Sequence, residues 1–321
     1  MRTIQEANIS QGTKVLIRLD LDVPIKNKKI LEPYRLDASI DTLKYILEKG
    51  GIPIIIGHMG QPKGIYDETL STKQLIPYFN NKLGINNFEI LENLRFDKRE
   101  EENSNEYAQE LASKADIFVN ESFATCHREH TSIVEIAKVL PSYAGMRLQK
   151  EITILQKVKK EAKKPFIVII GGAKLESKKP VIDTFLKIAD YVLIGGKLGF
   201  EWDKEVPSNL ILPIDYVKDN KDIGNKTIEK YKSILATATT LLWAGPMGLY
   251  EETEFIKGTK AIVESVKNNK NLWSIIGGGD TIAATNIIDS MNIFSFVSTG
   301  GGAMLTYLAK DTLPGIEVLN D

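Results

Sequence analysis

The residues of this chain that are equipped for chemistry fall into two sets, one built on glycine and lysine and the other on arginine and histidine. Glycine-rich turns recur at Gly171-Gly172, Gly195-Gly196, Gly245-Pro246-Met247-Gly248, Gly277-Gly278-Gly279-Asp280 and Gly300-Gly301-Gly302, each closely following an apolar, β-branched or aromatic run. At the carboxyl ends of parallel strands such turns let backbone amides approach an anion while the next helix presents its positive end, so a phosphate-bearing ligand is the expected guest. Asp280, directly after three glycines, is placed to cap a helix, to meet Mg²⁺ between phosphates, or both. Lys174 and Lys178 lie about one helical turn apart after Gly171-Gly172, where two ammonium groups would hold a migrating phosphoryl group. Solvated surface lysines are the plainer alternative.

The second set is sparse and lies wholly in the first half. Seven arginines stand against thirty-four lysines, the last of them Arg147, and all three histidines, His58, His127 and His130, precede it. Arg35, Arg95 and Arg128 each sit in a segment that reads as a turn or strand end. With His58, in Gly57-His58-Met59-Gly60-Gln61-Pro62, they would build a cationic pocket for a small anion carrying phosphate and carboxylate, through bidentate hydrogen bonds. The alternative is separate salt bridges to Asp20, Glu92 and Glu121. A zinc site at Cys126-His127-x-x-His130 would need a further ligand cluster that the chain does not show, and a lone Cys126 beside a histidine in sequence is weak as a nucleophile.

Several classes are excluded. No Gly-x4-Gly-Lys-Ser/Thr run occurs, no Gly-x-Gly-x-x-Gly follows a predicted strand, and His127-Arg128-Glu129 lacks the companions of a protein-kinase catalytic loop. A net charge of −1 gives no uniform basic surface for nucleic acid. One cysteine, no apolar run near the roughly 18 residues of a membrane span and no signal-like start lead to the expectation of a cytoplasmic chain without disulfide or membrane contact.

The elements that must position these residues alternate strand with helix. Strands are predicted at Val15–Leu19, Ile52–Ile56 and Ile117–Val119, with helices at Ala38–Glu48 and Glu106–Lys114. The second half repeats the scheme with strands at Phe166–Ile170, Tyr191–Ile194, Leu210–Leu212, Thr240–Trp243, Leu272–Ile276 and Phe294–Ser298. Between them Gly145–Lys164 reads as one long charged helix closed by Pro165. The expected fold is α/β, with two doubly wound parallel-sheet (Rossmann-like) domains joined by that helix, the alternative being one unusually wide sheet.

At this point the chain resembles phosphoglycerate kinase. The stretches that carry the resemblance are Arg18-Leu-Asp-Leu-Asp-Val-Pro24, Gly57-His-Met-Gly-Gln-Pro-Lys-Gly64, Leu91-Glu-Asn-Leu-Arg-Phe96, Val119–His130, Gly171-Gly-Ala-Lys174, Trp243-Ala-Gly-Pro-Met-Gly248, Gly277-Gly-Gly-Asp-Thr281 and Ser298-Thr-Gly-Gly-Gly-Ala303, in order over nearly the whole length. It implies a bilobal hinge enzyme and a monomer: residues 1–150 holding phosphoglycerate, 151–305 holding Mg²⁺ with ATP or ADP, and 306–321 returning to the first domain. It further implies 3-phosphoglycerate at Asp20, Leu21, Asp22, Arg35, His58, Met59, Gly60, Gln61, Arg95, His127 and Arg128. The nucleotide would lie at Gly171, Gly172, Lys174, Lys178, Gly195, Gly196, Gly245, Pro246, Glu251, Gly278, Gly279, Asp280, Thr281, Gly300 and Gly301, with Glu251 on the ribose and Asp280 on the metal. Arg35, Lys174 and Lys178 would be catalytic in the reversible formation of 1,3-bisphosphoglycerate and ADP from 3-phosphoglycerate and ATP. The pattern is broken at Asp22 (usually Asn), Gln61 (Arg), Lys197 (Gly), Ala244 (Asn) and Thr306 (Glu), and the stretches Asn80–Glu89 and Phe200–Asn225 are short. These departures keep two alternatives open: a nucleotide-binding homologue without turnover, and a kinase for another small carboxylate.

Overall fold

The computed structural model describes residues 1–172, 175–203, 205–288 and 291–320. The chain divides into two compact units, Met1–Ile154 with Thr312–Asp321, and Leu155–Asp311.

The first unit is built on five parallel strands: β1 (Lys14–Arg18), β2 (Ile52–Ile56), β3 (Glu89–Ile90), β4 (Ile117–Asn120) and β5 (Ser142–Ala144), in the order β3-β2-β1-β4-β5. Val15, Leu16 and Ile17 are fully buried, as expected of a central strand covered on both faces by crossover segments. β3 and β5 were not predicted. At two and three residues, without a β-branched run, they carry too little pattern, and their pairing with β2 and β4 defines them. The C-terminal residues are fastened to this unit, with the Arg2 amide donating to the Leu319 carbonyl at 2.9 Å and the Gly315 amide to the Cys126 carbonyl at 2.9 Å.

The second unit has six parallel strands: β6 (Phe166–Ile170), β7 (Tyr191–Ile194), β8 (Leu210–Ile211), β9 (Thr240–Ala244), β10 (Trp273–Gly277) and β11 (Phe296–Ser298), in the order β8-β7-β6-β9-β10-β11. Both sheets therefore reverse their winding beside their first strand, between β1 and β4 and between β6 and β9, and it is at the carboxyl end of such a reversal that open α/β sheets bind ligands. Between Phe200 and Asn225 the described residues form β8 and a small antiparallel hairpin pairing Tyr216–Val217 with Asp222–Ile223.

The long helix runs Met146–Glu161. Its start is fixed from within the first unit: the fully buried Glu121 carboxylate accepts the amides of Arg147 (3.0 Å) and Leu148 (3.4 Å), satisfying donors that have no partner inside a helix. Burial raises the Glu121 carboxyl to about 8 against the pull of these donors. Among the described residues no helix is long and apolar enough to cross a membrane.

Candidate active site

In the first unit the side chains at the sheet reversal are charged. Asp20, just beyond β1, accepts hydrogen bonds from the Ser122 hydroxyl and the Ala124 amide, which ties the β1 end to the β4 end. Arg18 is fully buried; its Nε donates to Ser132 Oγ at 2.9 Å, Nη1 to the Leu19 carbonyl, and Nη2 to His58 Nδ1 at 2.7 Å. Because arginine can only donate, His58 Nδ1 must accept, leaving a neutral ring with its proton on Nε2. Burial, and then Arg18, Arg95 and Arg35, push the His58 pKa well down, in keeping with that state.

The three predicted arginines are brought together. Arg35 Nη1 donates to the Asp22 carbonyl at 2.8 Å, the Asp22 carboxylate accepts the Gly60 amide at 2.9 Å, and the Gly60 carbonyl accepts from Arg95 Nη1 at 2.9 Å. Arg128 lies close enough to Arg95 to lower its pKa, after burial and against Glu101. Two buried nitrogens here, Arg95 Nε and His127 Nδ1, have no hydrogen-bond partner among the described residues. Arg95 Nε does lie 3.4 Å from Glu101. Among the described residues the alternative salt bridges to Asp20, Glu92 and Glu121 do not form: Asp20 is engaged as above, Glu92 takes Ser71 and Lys73, and Glu121 caps the long helix. Leu21 and Met59 are core side chains, so only their backbone can face a ligand, whereas Asp22, Gln61 and Arg128 are exposed. His127 and His130 also titrate low, His130 at about 4, through burial and neighbouring arginines. The Cys126 thiol is buried against Asn120 and the Ser122 carbonyl, and burial raises its pKa, the opposite of a reactive thiolate.

Arg18, Glu100 and Ser132 were missing from the sequence-derived site. Glu100, buried and raised in pKa by burial, accepts from the Ser132 hydroxyl (2.6 Å) and amide (3.0 Å) behind Arg18. A charged residue ending a buried run such as Val15–Arg18 does signal a hidden partner, but nothing in sequence says that the partners are positions 58, 100 and 132.

In the second unit the corresponding ends carry glycine. Gly171 and Gly245 face one another so closely that a Cβ on Gly171 would lie 2.1 Å from the Pro246 carbonyl oxygen, and one on Gly245 (φ +93°) 2.2 Å from that of Gly171. The Gly245 amide donates to Thr281 Oγ1 (2.7 Å), which passes the bond to the Gly277 carbonyl (2.9 Å). Thr281 is thus buried as a brace under the Gly245 turn. Gly172 (φ +99°) has open space where its Cβ would be.

A cleft of about 350 Å³ opens beside these turns, lined by Gly172, Gly196, Lys197, Asp219, Asn220, Lys221, Pro246, Gly248, Leu249, Tyr250, Glu251 and Asp280. It has the size and mixed polarity of a small-molecule site. The hairpin tip at Asp219-Asn220, both residues with positive φ, supplies one wall, and the Leu249 amide holds it in place by donating to the Lys221 carbonyl at 2.8 Å. These hairpin residues were not predicted, because their nearness to the glycine turns arises from folding alone. Asp280 is the second residue of the helix Gly279–Ile287 behind Gly278 and makes no capping bond; its carboxylate is exposed, with the Tyr250 hydroxyl 3.5 Å away. Lys178 is half-buried, its pKa lowered by burial and supported in the other direction by Asp280. Gly195 is buried behind the cleft against Met247, and Gly301 packs on Gly278. Gly300 precedes the helix Gly301–Lys310. Lys174 lies outside the described residues.

Comparison with known proteins gives matches over nearly the whole chain. The phosphoglycerate kinase family model matches residues 4–89, 81–205 and 207–311. The phosphoglycerate kinase of Dictyoglomus turgidum is 35% identical over 381 aligned positions, covering 97% of this chain and 96% of that protein. That of Borrelia duttonii is 32% identical over 390, covering 99% of each. Alignments longer than the chain's 321 residues mean that these relatives carry insertions it lacks. Among solved structures, phosphoglycerate kinase from Pyrococcus horikoshii superposes with a TM-score of 0.84 at 27% identity, covering 100% of this chain and 98% of that one. The enzyme from Coxiella burnetii gives 0.78 at 28%, covering 99% and 98%. With its matched family model, its full-length relatives and its two Rossmann-like sheets, the chain belongs to the phosphoglycerate kinase family.

Proposed function

We propose a division of labour for the reaction that family membership assigns to this chain, the reversible transfer of the ATP γ-phosphoryl group to the carboxylate of 3-phosphoglycerate: the first unit, residues 1–154 and 312–321, holds the acid, and the second, 155–311, holds the nucleotide with its Mg²⁺. The observations that carry this reading are, in the first unit, the hydrogen-bonded series Arg35–Asp22–Gly60–Arg95 with Arg128 and a neutral His58 beside it and, in the second, a glycine-walled cleft. Arg35, Arg95 and Arg128 supply guanidinium forks for carboxylate and phosphate, and His58 a neutral Nε2–H donor. His127 joins them, and Asp20 keeps the strand ends aligned.

The acceptor carboxylate is already a nucleophile, so the protein supplies no general base. What remains is to position the two anions in line, exclude water that would hydrolyse an acyl phosphate, and neutralise charge on the moving group. Arg35, Lys174 and Lys178 carry that neutralisation. Lys178 is half-buried, and burial, which lowers its pKa, also leaves its charge less screened by water. The amides at Gly172, Gly278 and Gly279 face the phosphate chain and Glu251 the ribose, while Gly196, whose amide donates to the Met247 carbonyl at 2.9 Å, keeps the cleft wall free of a side chain. Asp280, a single exposed carboxylate, suits Mg²⁺, which is commonly bound through one or two carboxylates with substrate phosphates completing its shell. When bound, the metal would offset charge on the nucleotide phosphates.

A coupled assay with Mg-ATP and a panel of small acids tests the assignment. Acyl phosphate should form with 3-phosphoglycerate and fall by orders of magnitude with glycerate, which lacks the phosphate. Equal activity on both would remove the basis for the arginine pocket. ADP binding without any turnover would leave a nucleotide-binding homologue.

A further inference from the structure

We propose that Lys197 is a direct ligand of the nucleotide's phosphate chain, a role peculiar to this chain because the resemblance places glycine there. The inference rests on the nucleotide assignment above. Lys197 lines the cleft with an exposed side chain, and among the described residues its ammonium has no hydrogen bond or ion pair. Its backbone is fixed at the glycine turns: the Lys197 amide donates to the Gly172 carbonyl at 3.0 Å, and the preceding Gly196 packs so tightly that a Cβ there would lie 2.5 Å from the same oxygen. Lys197 therefore leaves the chain directly beside Gly172, the turn with open space in front of it.

The cleft's charge balance points the same way. Its lining includes three carboxylates, Asp219, Glu251 and Asp280, and two lysines, Lys197 and Lys221. Lys221 is already committed, 3.3 Å from Glu252 and 4.8 Å from the Phe255 ring centroid. Without Lys197 a polyphosphate would still meet Lys178 near Asp280, but the cleft's own lining would set three carboxylates against the paired Lys221, an arrangement that opposes binding. Lys197 offsets them, and it adds a charged contact on the side where Ala244 replaces the family's polar asparagine.

The test is equilibrium titration of the full-length protein with ADP, AMP and adenosine, without metal, in the parent and in Lys197→Met, Lys197→Gly and Lys197→Arg. Loss of one charge-assisted contact should raise the ADP dissociation constant about 10-fold in Lys197→Met and Lys197→Gly, leave adenosine within about 2-fold, and be largely restored in Lys197→Arg. Unchanged ADP affinity in Lys197→Met, or an equal loss for adenosine, overturns the proposal, the second outcome placing the lysine on the base. A parent protein that binds no ADP would instead overturn the nucleotide assignment itself.

Discussion

The two sheets share one winding through their first five strands, yet the ends of their central strands are made of opposite materials. Beyond β1 and β4 stand Asp20, Glu121 and Ser122, with Arg18 buried just before them. Beyond β6 and β9 stand Gly171 and Gly245, packed backbone to backbone. The first arrangement keeps long, directional side chains, which tie the strand ends to one another and to the start of the long helix. The second removes side chains so that the two turns can pack on one another, with the Gly171 amide on the Ala244 carbonyl and the Gly245 amide on Thr281. On the proposed division of labour one topology serves two kinds of recognition, and what changes is how much side chain remains at the rim.

Four experiments test that contrast. The largest effect is expected from Arg35→Ala, which should lower turnover by about 10³-fold, the scale of losing one transition-state cation, while ATP affinity stays within about 2-fold. Equal loss of turnover and ATP binding would remove Arg35 from its assigned unit. Gly245→Ala should do the reverse. A Cβ at 2.2 Å from the Gly171 oxygen forces the two turns apart, so nucleotide affinity should fall about 100-fold and denaturant titration should show a loss of roughly 3 kcal/mol. 3-Phosphoglycerate binding should persist; its loss would show that the units do not recognise their ligands independently.

The third experiment reads pH. His130 is neutral in the folded first unit down to about 4, against an ordinary value of 6.5, so its contribution to stability is whole above 6.5 and is lost as pH falls towards 4. Asp222 lies in the second unit, where burial raises it to about 6 from 3.8 despite amide bonds from Ile223 and Gly258, both at 2.8 Å. Its contribution is whole below 3.8 and is lost as pH rises through 6. Relative to the parent, His130→Gln should therefore gain stability between about pH 7 and about pH 5, and Asp222→Asn should lose it over the same interval. Unfolding midpoints measured at both pH values would show the opposite signs; a common sign would refute the assignment of these groups. The smallest effect is Asp22→Asn. An amide oxygen can still accept from Gly60, but a negative charge beside Arg95 is gone, so KM for 3-phosphoglycerate should fall about 3-fold with ATP unchanged.

How much of this was legible in the sequence follows from how local each signal is. Buried strands such as Phe166–Ile170 and the long helix Met146–Glu161 announced themselves within a few residues of their bounds, because periodicity and Pro165 are local facts. The edge strands β3 and β5 did not, since a two- or three-residue strand exists only through its neighbour's register. At the site, Arg35, Arg95, Arg128 and His58 stood out by rarity and loop context. Their union through Asp22 and Gly60, and the support of Arg18 by Ser132 and Glu100, depend on contacts between segments tens of residues apart.

The division into a glycine half and an arginine half, the alternation of strand and helix, and the family are legible without coordinates, because they rest on motif order and residue chemistry alone. Tertiary structure alone decided which atoms are spent inside the protein and which remain for a ligand. It turned Thr281 into a brace, committed Glu121 to a helix terminus, fixed the His58 tautomer through Arg18, and brought the hairpin at Asp219-Asn220 to the cleft. Hydrogen-bond directions and burial are properties of neighbours in space, and a list of residues does not contain them.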